Sequence, residues 1–474
     1  MAKRALLWLR RDFRTTDHPA LFQATRDCSA VYCVFVLDRA KLDEFAPHLK
    51  PFAAFFGALL ALRSEFQKKG RTIHIMEGDP EKLIPELMRA HNFDALYFNK
   101  DYEPASLARD ESVSRACRKL GATVYSFKDH VLFEESEILS QTGMPYKVFT
   151  PYKKACFAEL KSNPPVVLEG VKWASVAEAA LPDPMQTVTK LWQRIEDQVA
   201  AGQREAGGHI PPTGEKAARN RLNRFLDAAL ADYPVGRDLP AIAGTSRLSM
   251  DLRAGALSPR QIWNAVLEAN VPAKARDVFR AELNWRDFFI QVGFHHPEVF
   301  TENYSQKFKR IRWRNDPDEF AAWTEGRTGY PIVDAGMREL VMTGFMHNRV
   351  RMITATFLCK DLLVDWRWGE SFFRKHLVDG DAAINNGNWQ WCASTGCDAQ
   401  PYFRIFNPIT QGKRFDPDGK YTRHYVKELA GVLQARGNRY LHEPWRATEG
   451  RGLDYPPPIV DHSVARTRCL LAFR

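Results

Sequence analysis

Short apolar runs alternating with helical patterns over the first 130 residues constrain the fold of this chain more than any other feature. The runs are Ala5–Leu9, Ala30–Leu37, Thr72–Met76, Ala95–Phe98 and Ala122–Phe127, and Phe52–Phe66 and Pro80–Ala90 between them have helical spacing. Strands alternating with helices predict an α/β domain, a doubly wound, Rossmann-like parallel sheet. Such sheets bind ligands beyond the carboxyl ends of their strands. The first run is followed by Arg10-Arg11-Asp12-Phe13-Arg14 and not by G-x-G-x-x-G, so the standard dinucleotide fingerprint is absent.

The pattern then changes twice. Residues 131–205 read as a long connection, punctuated by Asn163-Pro164-Pro165, Leu181-Pro182-Asp183-Pro184 and, just beyond, Gly207-Gly208. Residues 206–474 are dominated by helical spacing. Ser258-Pro259 supplies an N-cap with proline at the first helical position, and Asp277–Gly293 and Val333–Leu363 follow as helical stretches. The expected domains are therefore 1–130 (α/β), 131–205 (linker) and 206–474 (all-α).

Composition narrows the function classes. Lys plus Arg is 67 against 57 for Asp plus Glu, a net charge of +10 that favours a polyanionic partner. No apolar run approaches the roughly 18–20 residues of a membrane span, and arginines at positions 4, 10 and 11 interrupt what a signal peptide would keep apolar. A cytoplasmic protein with no membrane partner is expected. The eight cysteines are widely spread, and Cys28-x4-Cys33 and Cys392-x4-Cys397 lack zinc-site spacing, so buried free thiols and no metal are expected.

Four segments of the second half carry a resemblance. They are Gly244-Thr245-Ser246-Arg247-Leu248-Ser249, Glu282-Leu283-Asn284-Trp285-Arg286-Asp287-Phe288-Phe289, His347-Asn348-Arg349-Val350-Arg351-Met352, and Asp379-Gly380-Asp381 leading into Asn385-Asn386-Gly387-Asn388-Trp389-Gln390-Trp391. In order and spacing the chain resembles the photolyase/cryptochrome family over nearly its whole length, and within it class I cyclobutane pyrimidine dimer photolyases. The resemblance implies a light-driven carbon–carbon lyase: an α/β antenna domain, a linker, and a helical domain binding one FAD per chain. Reduced FAD would pass an electron to a flipped-out dimer in DNA. A monomer is expected.

Physical chemistry and resemblance combine residue by residue. Thr245, Ser246 and Ser249 offer hydroxyls in a tight turn with Arg247 and Leu248, suited to a pyrophosphate. The resemblance places Tyr233, Thr245–Ser249 and Phe279 at the flavin. Glu282, Trp285 and Arg286 stand at i, i+3 and i+4, one helical face offering a carboxyl, a stacking ring and a cation. They are implied to hydrogen-bond the pyrimidine, stack on it and neutralise phosphate, with Glu282 and Arg286 also near the cofactor. Asn348, Arg351 and Met352 repeat that geometry. Neither Asn348 nor Met352 titrates, which favours cyclobutane dimers over six–four photoproducts, whose repair needs a proton moved. His347 has a core or capping role in this reading.

By the same resemblance, Arg351 pairs with Asp379, Asp379 and Asp381 lie against the flavin, and Asn385 faces its N5. Trp389, Trp366 and Trp313 match an electron-transfer chain. The DNA face is expected to gather Lys154, Arg237, Trp285, Arg286, Asn348, Arg349, Met352, Trp391, Arg404 and Gln411. Asn99 and Glu103 fall where relatives hold an antenna chromophore. Phe300–Lys309 lacks the Cys-Lys pair of folate-binding relatives, leaving methenyltetrahydrofolate, a deazaflavin or FMN as alternatives.

Overall fold

A computed structural model describes residues 3–38, 42, 47–178, 181, 187–429, 440–446 and 454–474. The chain forms two compact units that interleave along the sequence: Met1–Leu226, Ser246–Asn270 and Arg280–His295 in the first, and Asp227–Thr245, Val271–Phe279 and His296–Arg474 in the second.

The first unit is built on five parallel strands, β1 (Arg4–Leu9), β2 (Ala30–Leu37), β3 (Ile73–Glu77), β4 (Ala95–Asn99) and β5 (Thr123–Phe127), in the order β3-β2-β1-β4-β5. Leu7 lies opposite Cys33 on one side and Tyr97 on the other. Alternate residues of β1 serve different cores, which explains its unbroken apolar run. Ala5, Leu7 and Leu9 pack with Phe13, Phe52 and Phe56, whereas Leu6 and Trp8 pack with Val34, Ile84 and Val113. The strand order reverses between β1 and β4, so Arg10–Arg14 and Asn99–Glu103 leave the sheet side by side at its switch point.

A buried ionic lattice ties these strand ends to the rest of the unit. The Arg14 guanidinium, 1% exposed, bonds the Asp129 carboxylate and, at 3.0 Å, the Gly255 carbonyl. Arg260 adds Nε to Asp17 at 2.9 Å and Nη2 to Asp129 at 3.0 Å. Against a large desolvation penalty, Arg14 and then Arg260 hold the Asp129 carboxyl far below the usual carboxylate range. The helices Phe149–Ser162 (α1) and Thr187–Glu205 stand within the stretch expected to be a connection. Phe149, Tyr152, Cys156 and Leu160 form the buried face of α1 at helical spacing, a pattern masked by the prolines around it.

The helix α2 (Ala273–His295) contributes its residues 280–295 to the first unit. The second unit is helical. Its core gathers Trp323, Trp366, Trp389, Met337, Leu340, Phe357 and Phe373. The stretch expected as one helix, 333–363, is broken. Pro331–Thr343 ends at Gly344, whose φ of 73° provides a left-handed cap, and α3 (Asn348–Thr356) starts afresh before a π-turn at Phe357–Asp361. Then come α4 (Trp366–His376), α5 (Ala382–Ala393) and α6 (His462–Ala472).

Candidate active site

The candidate residues divide between the two units. In the first unit, α2 presents Glu282 and Trp285 half-buried. Arg286, on the same face, is more deeply buried. It is only 8% exposed, bonds the His130 backbone carbonyl and lies 3.6 Å from the Asp287 carboxylate. Burial, and next the Arg286 charge, push the His130 imidazole down to about 3. Asp287 accepts from the backbone N–H groups of Leu132 (2.7 Å) and Phe133 (3.3 Å), and burial pushes its carboxyl up to about 7. In the turn before Ser249, the Ser246 Oγ accepts from the Leu248 N–H at 3.4 Å and Arg247 is left-handed at φ 53°. Lys154 is exposed on α1.

The expected antenna residues are occupied within the fold. The Asn99 side chain is buried; its Nδ2 donates to Asp12 at 2.8 Å and its Oδ1 accepts from Ala20 N–H at 3.1 Å. Glu103 accepts from Arg11 Nη1 at 3.0 Å.

In the second unit, Arg351 Nη2 grips both Asp379 oxygens, at 2.9 and 3.1 Å, while its Nε donates to the Met346 carbonyl at 2.7 Å. The Asp379 side chain is 4% exposed, so its charge is held almost out of water, with one guanidinium nitrogen across both its oxygens. Asp381 caps α5, accepting from Ile384 N–H at 3.3 Å, and this sets the phase of Asn385 one turn later. Asn385 Nδ2 donates to the Glu370 carbonyl at 3.1 Å, and Asn386 Nδ2 to its carboxyl at 3.2 Å; burial pushes Glu370 up to about 7.

On α3, Asn348 is exposed and Met352 half-buried, with Asn348 Nδ2 4.0 Å from the Met352 sulfur. His347 is 5% exposed and caps that helix, its Nδ1 accepting from Arg349 N–H at 3.2 Å, as its neighbours implied. Arg349 is half-buried: Nη2 bonds Asp238 at 2.7 Å and the guanidinium lies 4.4 Å over Phe415. Tyr233 packs edge-on to Phe279 at 5.1 Å, under the Arg237 guanidinium at 5.4 Å. Thr245 is half-buried in the same unit.

Trp366 and Trp389 are buried, and Trp366 Nε1 donates to Asn303 at 2.7 Å. Gly369 lets α4 meet α5: a Cβ there would lie 2.1 Å from the Trp389 ring. Trp313 is half-buried beside Phe473 at 6.0 Å. Trp391 and Gln411 are half-buried and Arg404 exposed, next to Phe403, whose ring is 60% exposed.

Three residues went unsingled in the sequence. Phe149 stacks on Trp285, and no local signal marks that pairing. Phe403 sits in an ordinary-looking loop. Lys360 did leave a trace, as a lone cation in the apolar run Ile353–Val364. It is 0% exposed, donates to the Ala393 carbonyl at 3.0 Å and lies 3.6 Å over the Phe473 ring. It thereby caps the C-terminal end of α5, the helix that carries Asn385 and Trp389.

The chain is similar to known proteins along nearly its whole length. Residues 5–169 match the family described as DNA photolyase, and residues 279–474 the FAD binding domain of DNA photolyase. A deoxyribodipyrimidine photo-lyase of Alkalihalophilus pseudofirmus is 38% identical over 99% of this chain and 97% of its own length. The crystal structure of a class III photolyase from Agrobacterium tumefaciens superposes with a TM-score of 0.87 at 37% identity, covering 100% of this chain and 97% of that one. A Synechocystis cryptochrome has a TM-score of 0.84 at 27% identity, covering 100% and 99%.

Proposed function

Because this chain belongs to the DNA photolyase family, we propose that it repairs cyclobutane pyrimidine dimers in DNA under light, using FAD held by its C-terminal half. The observation that carries the choice of lesion is the start of α3. His347, the one histidine there, is buried as the helix cap, and the exposed face presents Asn348 and Met352. Opening a cyclobutane dimer needs an electron and its return. A six–four photoproduct also needs an acid–base group, and neither Asn348 nor Met352 supplies one.

The donor set suits FAD. Ser246 and Ser249, with the backbone around the left-handed Arg247 and with Thr245 and Leu248, fit a pyrophosphate. The Arg351–Asp379 pair offers a fixed charge to an isoalloxazine edge, Asp381 anchors the helix start, and Tyr233 and Phe279 supply apolar wall. Asn385, with one N–H spent on the Glu370 carbonyl, keeps its Oδ1 and second N–H for the ring. When bound and reduced, FAD supplies the photoexcitable electron. Glu282 and Asn348 stabilise charge on the dimer by aimed hydrogen bonds, Trp285 and Trp391 stack on it, and Met352 packs against it. Trp389, Trp366 and Trp313 carry electrons toward the cofactor from the surface. Lys154, Arg237, Arg286, Arg349, Arg404 and Gln411 contact the DNA, the cations through its phosphates.

The test is parallel illumination of oligonucleotides holding one cyclobutane dimer or one six–four photoproduct, with fully reduced enzyme and dark controls. Repair of the first and not the second is expected. Efficient six–four repair refutes the lesion assignment. Repair of neither would favour a light sensor, a reading supported by the likeness to a cryptochrome.

A further inference from the structure

Trp285 does not meet solvent as an isolated ring. The Phe149 ring lies face to face with its indole, centroids 3.6 Å and planes 11° apart. Phe289, one turn further along α2, runs near-parallel to it at 5.4 Å and 28°. Phe288 meets its edge at 5.7 Å and 84°. Phe149 is buried in turn: it is 6% exposed, packs edge-on to Phe288 at 5.8 Å, and is followed on α1 by Tyr152, 5.4 Å from Phe288. All these residues belong to the first unit. The only half-exposed member is Trp285.

We propose that Phe149 is a positioning residue for lesion recognition, holding the Trp285 indole in the one orientation in which its exposed part meets an extruded pyrimidine dimer. The inference rests on the dimer-repair reading above. A half-exposed indole on a helix samples several rotamers, and a ligand that stacks on it must pay for freezing them. Phe149 removes that freedom beforehand, because a flat ring against one indole face fixes the plane of the whole side chain. Leucine could fill much of the same volume but could not fix that plane. A pair of stacked rings contributes the equivalent of roughly two- to ten-fold in a binding constant. The benefit falls on the dimer, which uses the indole, and not on undamaged duplex, which is held through phosphates.

The experiment measures dissociation constants of the flavin-loaded, full-length protein for one oligonucleotide duplex with and without a central thymine dimer, in the dark. The proteins are wild type, F149L and F149Y, with flavin content and Tm as checks on folding. F149L is expected to weaken dimer binding about three- to ten-fold and leave undamaged-duplex affinity within about two-fold. F149Y, which keeps the ring, restores dimer affinity. Unchanged dimer affinity in F149L overturns the proposal, as does an equal loss for both duplexes or failure of F149Y to rescue. Should F149L not take up flavin, F149M replaces it; failure of both to fold assigns Phe149 to the core alone and also overturns the proposal. A wild type with no preference for the dimer would refute the repair reading itself, a distinct outcome.

Discussion

Replacing Lys360 by methionine should abolish a pH dependence of stability that the wild type carries between pH 7 and 9.5. The ammonium is fully buried, with the Ala393 carbonyl at 3.0 Å and the Phe473 ring at 3.6 Å as its described partners. Burial lowers its pKa from 10.5 to about 8, partly offset by the neighbouring thiols of Cys469, Cys359 and Cys392. Asp361, next in sequence, faces His462 at 2.5 Å, and Arg468 bonds the Asp361 carbonyl at 2.5 Å. The native state loses the lysine proton first, so between pH 8 and 10.5 the unfolded chain binds more protons and stability rises with pH. A shift of about 2.5 units corresponds to about 3 kcal/mol over the full window, of which about 2 kcal/mol falls between pH 7 and 9.5. Methionine is similar in length, apolar and uncharged, so the wild type should gain that amount of unfolding free energy relative to K360M as pH rises over the interval. The offset at any one pH also contains the lost hydrogen bond and ring contact, but those terms cancel from the slope. Guanidinium titrations of both holoproteins at pH 7, 8, 9 and 9.5, followed by tryptophan fluorescence and flavin release, give the comparison. Parallel curves across that range would refute the reasoning, and so would wild-type stability falling relative to K360M as pH rises.

Three further outcomes are expected. Glu282→Ala lowers repair per photon without abolishing DNA binding, by less than the roughly 3 kcal/mol of a well-aimed hydrogen bond to a localised charge, because charge on the dimer is delocalised; an unchanged quantum yield would remove Glu282 from the chemistry. Trp313→Phe blocks photoreduction of oxidised FAD yet spares repair by enzyme first reduced with dithionite, and normal photoreduction in the variant would show that Trp313 is not the essential surface donor. Asn284 is 0% exposed on α2, and neither its Oδ1 nor its Nδ2 has a hydrogen-bond partner among the described residues. Asn284→Leu should therefore stabilise the protein by about 1–3 kcal/mol, and a lowered denaturation midpoint would show that the amide is satisfied.

The sequence by itself determined the sheet, the helical second half and the order of the motifs. Each rests on local information: Ala5–Leu9 of β1 is apolar throughout because both faces of the strand are buried, and Ser258-Pro259 starts a helix because its capping chemistry lies within four residues. His347 was expected in a core or capping role, and the Arg351–Asp379 pair came only through family resemblance. The prolines of 131–205 marked a long connection, and within it an apolar face at helical spacing formed α1. What only the tertiary structure decided is where each polar or aromatic side chain spends its interactions. Periodicity placed Arg286 on one face with Glu282 and Trp285, yet the carbonyl of His130 and the carboxylate of Asp287 drew it inward. Asp238 and Phe415 engage the guanidinium of Arg349, and Asp12 and Ala20 the amide of Asn99. Trp285 acquired its stacking partner from a helix far away in the chain. A helical period reports which way a residue points; whether a buried donor or an exposed ring waits there depends on contacts between distant segments, and desolvation makes those contacts decisive for charged groups.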